Sequence, residues 1–502
     1  MTKLCIFVNM VWLCISLTSQ PRADYIWMGG YQTVVATGAL VGHKYDFAAS
    51  PPSITAQNMP YGIVRGSNAS ICDAAGRLLF YTNGQGVVNR DMMLMPNGRG
   101  INDGEWARRF WPDATLGYPG PQDILILPDP ASESGYYLVH KTPVYYTDGD
   151  DPTEIRMSYV DMTLDGGRGD VVFKNQYFYT GQDLLFSYLT AIRHQNKRDW
   201  WILQPALGRV VKTFLLDTGG IKTMPDQDPG VVFKEEVGTA RFSPDGTKYA
   251  FYNEVNNLLI YDFDRSTGRL TLTDHVVPID TTGAYIFGSM EWSPNSRYIY
   301  TVINWYLYQV DTQEADPAKK VRLIDTYNGT KDPFVTTFFL MAQGPDCRIY
   351  MTPAAGTYSI HVINKPDEAG KACDFVQNGI KLPNSNGGIL PNFPRFRVDE
   401  AEKCNPGITS VFGQEVYYRR DLEAYPNPAT DHITIRLPVT VTSGRLVVAD
   451  VYGRPLMEES FGHGGPPGRV DVSHLPPASY HIEIYPDDNP ERIYYGTQIV
   501  KW

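Results

Sequence analysis

The 502-residue chain has no run of lysine and arginine that could track a phosphate backbone. Its 44 basic residues are scattered among 55 acidic ones, for a net charge of −11. A surface of that kind argues against a nucleic-acid partner. Cysteines number only six, and none stands in a Cys-x-x-Cys pair of the sort that holds zinc. His-Glu-x-x-His, the phosphate-binding P-loop and the Gly-x-Ser-x-Gly elbow are absent as well. Their absence leaves no catalytic residue, cofactor-binding residue or metal ligand to assign, and no cofactor is expected. Beyond the N-terminus no apolar run is long enough to span a bilayer, so no transmembrane segment is expected in the mature chain.

What is plentiful is tyrosine, with 33 residues, together with 45 glycines and 37 prolines. Aromatic residues favour strands, while glycine and proline set tight turns. Composition therefore points to an all-β protein of many short strands. Its length asks for two or more domains.

The chain begins with a short basic start, Met1–Lys3, an apolar stretch, Leu4–Leu17, and a polar exit, Thr18–Ala23. This reads as a signal peptide over 1–23, with cleavage after Ser19 or after Ala23. Cys5 and Cys14 leave with it. Export lets the remaining Cys72, Cys347, Cys373 and Cys404 oxidise. A Cys373–Cys404 disulfide is expected, because both residues flank the end of the large domain. Four free buried thiols are the alternative.

A strand–turn–strand form recurs. It is seen in Ala240-Arg-Phe-Ser-Pro-Asp-Gly246, Met290-Glu-Trp-Ser-Pro-Asn-Ser296 and Met341-Ala-Gln-Gly-Pro-Asp-Cys347. Further copies turn at Gly76 and Lys197, and a looser one at Gly135. Proline sets φ at the first corner, Asp or Asn tolerates the next, and glycine accepts a positive φ. The turns at 197, 246, 296 and 347 are 49, 50 and 51 residues apart. A fifty-residue unit of about four strands is a propeller blade, which needs neighbours to cover its faces. The propeller is placed at 24–398. Seven blades are favoured, with six and eight as alternatives. The seventh would be composite, Leu390–Val398 joining N-terminal strands near Tyr25–Phe47.

These residues also resemble a family. Asn83-Gly84, Met95-Pro-Asn-Gly98, Asp165-Gly-Gly-Arg-Gly-Asp170, Trp200-Trp201 and Gly388-Ile-Leu-Pro-Asn-Phe393 are similar to secreted, WD-repeat-like propellers common in Bacteroidetes. The resemblance implies a fold and no particular activity. One departure is Cys347, where related turns carry glycine.

After a linker at 399–421 the pattern changes. Alternating strands such as His432–Leu437, Arg445–Tyr452 and Ser479–Tyr485 suit a small immunoglobulin-like β-sandwich over 422–502. This module resembles the type A sorting domain of the Bacteroidetes type IX secretion system. The match is carried by Tyr425, Pro426, Asn427 and Pro428, by Gly453 closing Asp450-Val-Tyr-Gly, by Tyr480, and by the terminal Gln498-Ile-Val-Lys501. It departs at Ser479, where glycine is usual, and at Trp502, which follows the usual final lysine. The resemblance implies recognition of 422–502 by an outer-membrane translocon, and a place outside the cell or on its surface.

Several tempting motifs read more simply as structure. His140 and His194 have no sequence partners and are expected to be satisfied structural histidines. Asp148-Gly-Asp-Asp151 with Glu154 does not match a calcium loop and reads as a solvated turn. Arg168-Gly-Asp170 lies in a glycine-rich turn. Trp201 and Trp292 are expected to fill space between blades. Thr281, in Asp280-Thr-Thr282, resembles an O-glycosylation site of exported Bacteroidetes proteins.

Three functions remain in order of preference. The first is a non-enzymatic binding or structural protein with a protein or glycan ligand. The second is a secreted hydrolase or lyase with its site in the propeller channel. The third is a component of the secretion or gliding apparatus.

Overall fold

The computed structural model describes residues 22–502 except positions 32, 50, 65, 111, 182 and 304 and the segments 35–38, 143–152, 277–287, 399–403, 405–417, 437–440, 451–454, 463–467 and 488–492. The chain forms two units, divided between Thr409 and Ser410.

The first unit holds seven antiparallel sheets among the described residues, here called blades 1 to 7 in chain order. Their first strands are Ile26–Gly29, Ala69–Cys72, Ile124–Pro128, Thr190–Arg193, Thr239–Phe242, Gly288–Trp292 and Phe338–Gln343. In blades 2 to 7 four strands pair in chain order, an up-and-down meander. The first strand of each is almost wholly buried, and the last is the most exposed. That gradient follows from stacking sheets around an axis: the inner edge is covered on all sides, the outer edge faces water.

Each blade is bonded to the next. Asn68 Nδ2 donates to Met28 O at 2.8 Å, tying blade 2 to blade 1. Phe80 meets Tyr136 edge-on at 5.6 Å between blades 2 and 3. Neighbouring residues on a strand face opposite sides of the sheet. So Trp200 reaches back, its Nε1 donating to Pro128 O of blade 3, while Trp201 reaches forward to Arg265 O of blade 5. Trp292 Nε1 donates to Arg241 O, linking blades 6 and 5. Met341 N donates to Ser289 Oγ, linking blades 7 and 6. The ring closes where Tyr31 N donates to Ser385 O and Asn384 Nδ2 to Gly42 O. Trp27 there packs edge-on against Tyr350 at 5.5 Å. Indoles between blades thus bury a large apolar area and still satisfy their N–H.

The composite blade needs correction. Among the described residues, Ile26–Gly29 pairs within its own sheet, with Ala39–Asp46. Among the described residues, 390–398 form no ladder with it. They run along the channel instead, touching blade 4 through an isolated parallel bridge between Arg395 and Ile192. An inner strand would have continued the sheet. This segment has prolines at 391 and 394, which cannot donate to a ladder.

The periodic turns share one geometry. Gly76, Lys197, Gly246, Ser296 and Cys347 all have positive φ, between 62° and 83°. The preceding Asp or Asn fastens the turn, as when Asp245 Oδ1 accepts from Thr247 N at 3.0 Å and Asn295 Oδ1 from Arg297 N at 3.0 Å. Gly135 is not such a position; its longer turn closes through Ser132 Oγ, which accepts from Ser134 N and Gly135 N. A non-glycine residue in the left-handed region costs about 1 kcal/mol or more. Lys197→Gly is therefore expected to stabilise the propeller by about 0.5–1 kcal/mol. Urea unfolding followed by tryptophan fluorescence reads this, and a variant less stable than the parent contradicts it.

The expected Cys373–Cys404 disulfide is also corrected. Cys404 bonds Cys347. Cys373 is free, and so is Cys72. Cys373 ends a short 3-10 turn and lies in the core of blades 6 and 7 with Tyr300, Ile349 and Ile363. Cys347, at the left-handed position of its turn, bonds Cys404 instead. The cysteine that replaces the turn glycine thus keeps the tight left-handed turn and adds a cross-link closing a 57-residue separation.

The second unit is a sandwich of two sheets. Five strands form one sheet: Tyr418–Asp421, Ile493–Val500, Ser479–Pro486, Gly444–Asp450 and Pro455–Phe461. Glu423–Tyr425, His432–Arg436 and Arg469–Asp471 form the other. Alternating residues Ile433, Ile435, Val448, Ile482, Ile484 and Ile499 meet in its core. The strand Tyr418–Asp421 lies within the span read as linker and pairs parallel with Ile493–Gly496.

Candidate functional site

The propeller axis is occupied by the chain itself. Asn392 sits at its centre and binds four blades through one amide and its backbone. Its N donates to Asn68 O, and its Nδ2 donates to Ile124 O at 3.1 Å and Leu189 O at 3.0 Å. Its Oδ1 accepts from Arg241 Nη1 at 3.0 Å and from Gln122 Nε2 at 3.3 Å. Gln122 in turn bridges the axis, exchanging both amide bonds with the backbone of Ala240.

One mouth of the axis carries charge. Arg395 Nη2 pairs with Glu291 Oε1 at 2.5 Å, its Nη1 donates to Gln343 Oε1 at 3.0 Å, and its Nε to Phe242 O at 2.7 Å. Arg397 pairs with Asp24. Arg241 lies 3.5 Å from Glu291. Glu291 also accepts from the backbone of Trp292 and Gln343. Burial pushes the Arg241 guanidinium down, and the Glu291 carboxylate beside it works against that shift. Sequence reasoning missed this group, although the signal was there. Arg241 and Glu291 occupy the same position, two residues before the serine, in successive copies of the repeat. Equivalent positions on adjacent inner strands must be neighbours.

A cleft of about 40 Å³ lies beside this group. That volume holds a water or two or one small polar group.

The second charged pair lies wholly inside. Lys141 and Asp123 are 3.0 Å apart, with side chains 1% and 0% exposed. Burial pushes the Asp123 carboxyl up and the Lys141 ammonium down, each opposed by the other's charge. Glu235 is likewise raised, mainly by burial.

The histidines fall as structure. His140 is fully buried; its Nδ1 is 2.6 Å from Asn102 Oδ1 and its Nε2 2.9 Å from Ser158 Oγ. His194 lies on the blade-4 turn, where Nδ1 accepts from Asn196 N and the ring packs on Trp201. Among the described residues no three His, Cys, Asp or Glu gather as a metal site would require. Residues 148–151 of the acidic cluster lie outside the described residues, while Glu154 pairs with Arg156 at 2.5 Å. Arg168 pairs with Asp165 inside its glycine turn. Thr281 also lies outside the described residues.

In the sandwich unit the motif residues converge on the last strand. Asn427 Nδ2 donates to Gln498 O at 3.0 Å, and its Oδ1 accepts from Val500 N at 2.8 Å. The loop that follows continues the join, with Ala429 N donating to Val500 O and Trp502 N to Ala429 O. Pro426 and Pro428 hold Asn427 in the bend that makes this two-point contact. Lys501 is buried, its Nζ donating to Trp502 O at 2.9 Å. Tyr480 is buried too, with its hydroxyl donating to Pro476 O at 2.7 Å. Tyr425 and Trp502 are left facing solvent, at 52% and 74% exposure. Gly453 lies outside the described residues.

The two units define an all-β protein: a propeller and a terminal sandwich. Residues 423–492 match the family described as the secretion system C-terminal sorting domain. That tail supports export by type IX secretion, to the cell surface or beyond. No curated protein matches the chain. Among solved structures, it is similar to a proposed 6-phosphogluconolactonase from Bacteroides uniformis at 11% identity, covering 72% of this chain and 98% of the other, with a TM-score of 0.43. It is similar to a protein of unknown function from Desulfotomaculum acetoxidans at 12% identity, covering 73% and 99%, with a TM-score of 0.40. The periplasmic gluconolactonase PpgL of Pseudomonas aeruginosa matches at 12% identity over 73% and 97%, with a TM-score of 0.39. Values this low carry nothing about activity.

Proposed function

We propose that the chain is an exported propeller protein that acts by binding or as a structural element, at the cell surface or in the medium. Type IX secretion delivers it through residues 422–502, with the outer-membrane translocon as partner. The observation that carries the binding reading is the filled axis. Where a propeller enzyme would hold substrate, this one holds Asn392 and Arg395, each with its hydrogen bonds made internally. The outer faces and loops are then the surfaces left for a protein or glycan ligand.

The N-terminal stretch supplies the first export step. Ala23 is fully buried, and its carbonyl accepts from Cys72 N at 2.8 Å. Cleavage after Ser19 keeps that contact, whereas cleavage after Ala23 removes it. The secreted form is therefore expected to begin at Gln20.

The test is removal of residues 422–502, followed by fractionation and mass spectrometry of the termini. The full chain is expected outside the cell, and the truncated chain is expected to stay in the periplasm. A truncated chain that still reaches the outside ends the sorting reading.

A further inference from the structure

An asparagine followed by glycine is prone to close on itself, because glycine puts no side chain in the way of its own nitrogen. The chain has five such pairs, beginning at Asn83, Asn97, Asn328, Asn378 and Asn386. Closure needs the backbone between the two residues to swing, and a strand ladder or a sealed core resists that. Asn97 lies inside the strand Leu94–Arg99. Asn378 and Asn386 lie inside the strand Phe375–Asn386. Asn83 is fully buried, its Nδ2 donating to Gly62 O at 3.1 Å and to Ala114 O at 3.0 Å.

Asn328 differs on each count. It stands between the last strand of blade 6, Val321–Thr326, and the first strand of blade 7, Phe338–Gln343. Asn328, Gly329 and Thr330 are all exposed. Gly329 has φ of 84°, and a side-chain carbon added to it would meet nothing within 4 Å. Thr330 N donates to Asn328 Oδ1 at 3.0 Å. This N–H polarises the side-chain carbonyl and faces the oxygen on which negative charge gathers when Cγ is attacked. The start of the loop is held in place, Asn328 N donating to Gln377 Oε1 at 3.1 Å and Tyr327 N to Trp305 O at 2.8 Å.

We propose that Asn328–Gly329 is a self-modification site, at which the exposed loop between blades 6 and 7 deamidates in the folded chain. The Gly329 nitrogen bonds Asn328 Cγ and gives up its proton, and Nδ2 leaves with that proton as ammonia. Water then opens the five-membered imide at either carbonyl, leaving an aspartate or its β-linked isomer. Water is the only co-reactant. The product adds one negative charge to a loop of the kind that the binding reading leaves for a ligand. The β-linked isomer also lengthens the backbone there by one carbon. The inference goes beyond the proposed function and does not depend on it, since it needs only the fold of this loop.

The test is peptide mapping of the secreted chain by mass spectrometry, fresh and after storage at mildly alkaline pH. Lysine or arginine separates the five pairs, so trypsin puts each on its own peptide. In the folded chain the peptide 323–331 is expected to gain about one mass unit. It is expected to do so about tenfold faster than the other four. In urea the five are expected to react at comparable rates, because local sequence alone then decides. Gly329→Ala adds the blocking carbon and is expected to slow the reaction of the folded chain about tenfold. Asn328→Gln, whose longer side chain closes far less readily, is the second variant if the first fails to fold by tryptophan fluorescence. An Asn328 that stays intact in the folded chain while the urea sample reacts overturns the proposal. So does a second pair that matches it in the folded chain, or a preference for Asn328 that persists unchanged in urea.

Discussion

Between pH 7 and pH 5 the propeller is expected to lose about 6 kcal/mol from three buried histidines alone. Burial holds His43 down to about 4, and His140 and His361 down to about 3, against an ordinary 6.5. A base whose folded value is depressed stabilises the fold fully above 6.5. That contribution is lost as pH falls from 6.5 towards the folded value, because the unfolded chain takes up a proton that the fold refuses. Each histidine contributes about 1.4 kcal/mol per pH unit across that window. A domain's whole stability is about 5–15 kcal/mol, so the effect approaches the threshold of unfolding.

Four carboxyls act in the opposite sense. Asp123, Glu235, Asp346 and Asp367 are each raised, chiefly by burial, and protonate more readily in the fold. They offset part of the loss as pH falls towards 4. A single replacement separates the two. His140 is held between Asn102 and Ser158, an arrangement suited to the neutral ring with its proton on Nδ1. His140→Gln cannot titrate there. The slope of stability against pH, below pH 6.5, is expected to fall by about 1.4 kcal/mol per unit in this variant. Urea midpoints at several pH values measure it, read by tryptophan fluorescence. An unchanged slope rules out His140 as a source.

What was legible in the sequence was what repeats locally. The turns at Gly76, Lys197, Gly246, Ser296 and Cys347 announce themselves because each needs a left-handed residue a fixed distance after its strand. That period yields the blade, and the blade yields the ring. The terminal motif was equally plain, since Asn427 and the final strand lie at the two ends of one module and bond directly. What was not legible depends on where distant pieces meet. Arg395 is 104 residues from Glu291 and 153 from Phe242, and only ring closure brings them together. The path of residues 390–398 was misjudged for a related reason. Closing the ring with the two chain ends suits an inner strand there, while Pro391 and Pro394 suit a free-standing segment. The disulfide failed on position: sequence flank placed Cys373 near Cys404, but Cys373 lies in the core.

The same dependence on distant meeting points makes Lys141 a sensitive residue in the ring. Its ammonium donates to Leu185 O at 2.5 Å and to Ser187 O at 2.7 Å, and pairs with Asp123 at 3.0 Å. Three protons thus meet three acceptors. Leu185 and Ser187 belong to the connection between blades 3 and 4, where Ser187 and Tyr188 both hold positive φ. Two successive non-glycine residues in that region are strained, at about 1–2 kcal/mol each, and need outside support. Lys141→Met removes it. The variant leaves the Asp123 carboxylate buried without its counter-charge and leaves two carbonyls without their donor. The expected loss is about 3–5 kcal/mol, the usual cost of breaking a buried pair from one side. Adding Asp123→Asn should recover a large part of that, because the orphaned charge is then gone while the shape is kept. Urea unfolding of the two variants and the parent decides it. A loss below about 1 kcal/mol in Lys141→Met would mean that the pair is a passenger, and that the blade 3–4 connection is held by packing alone.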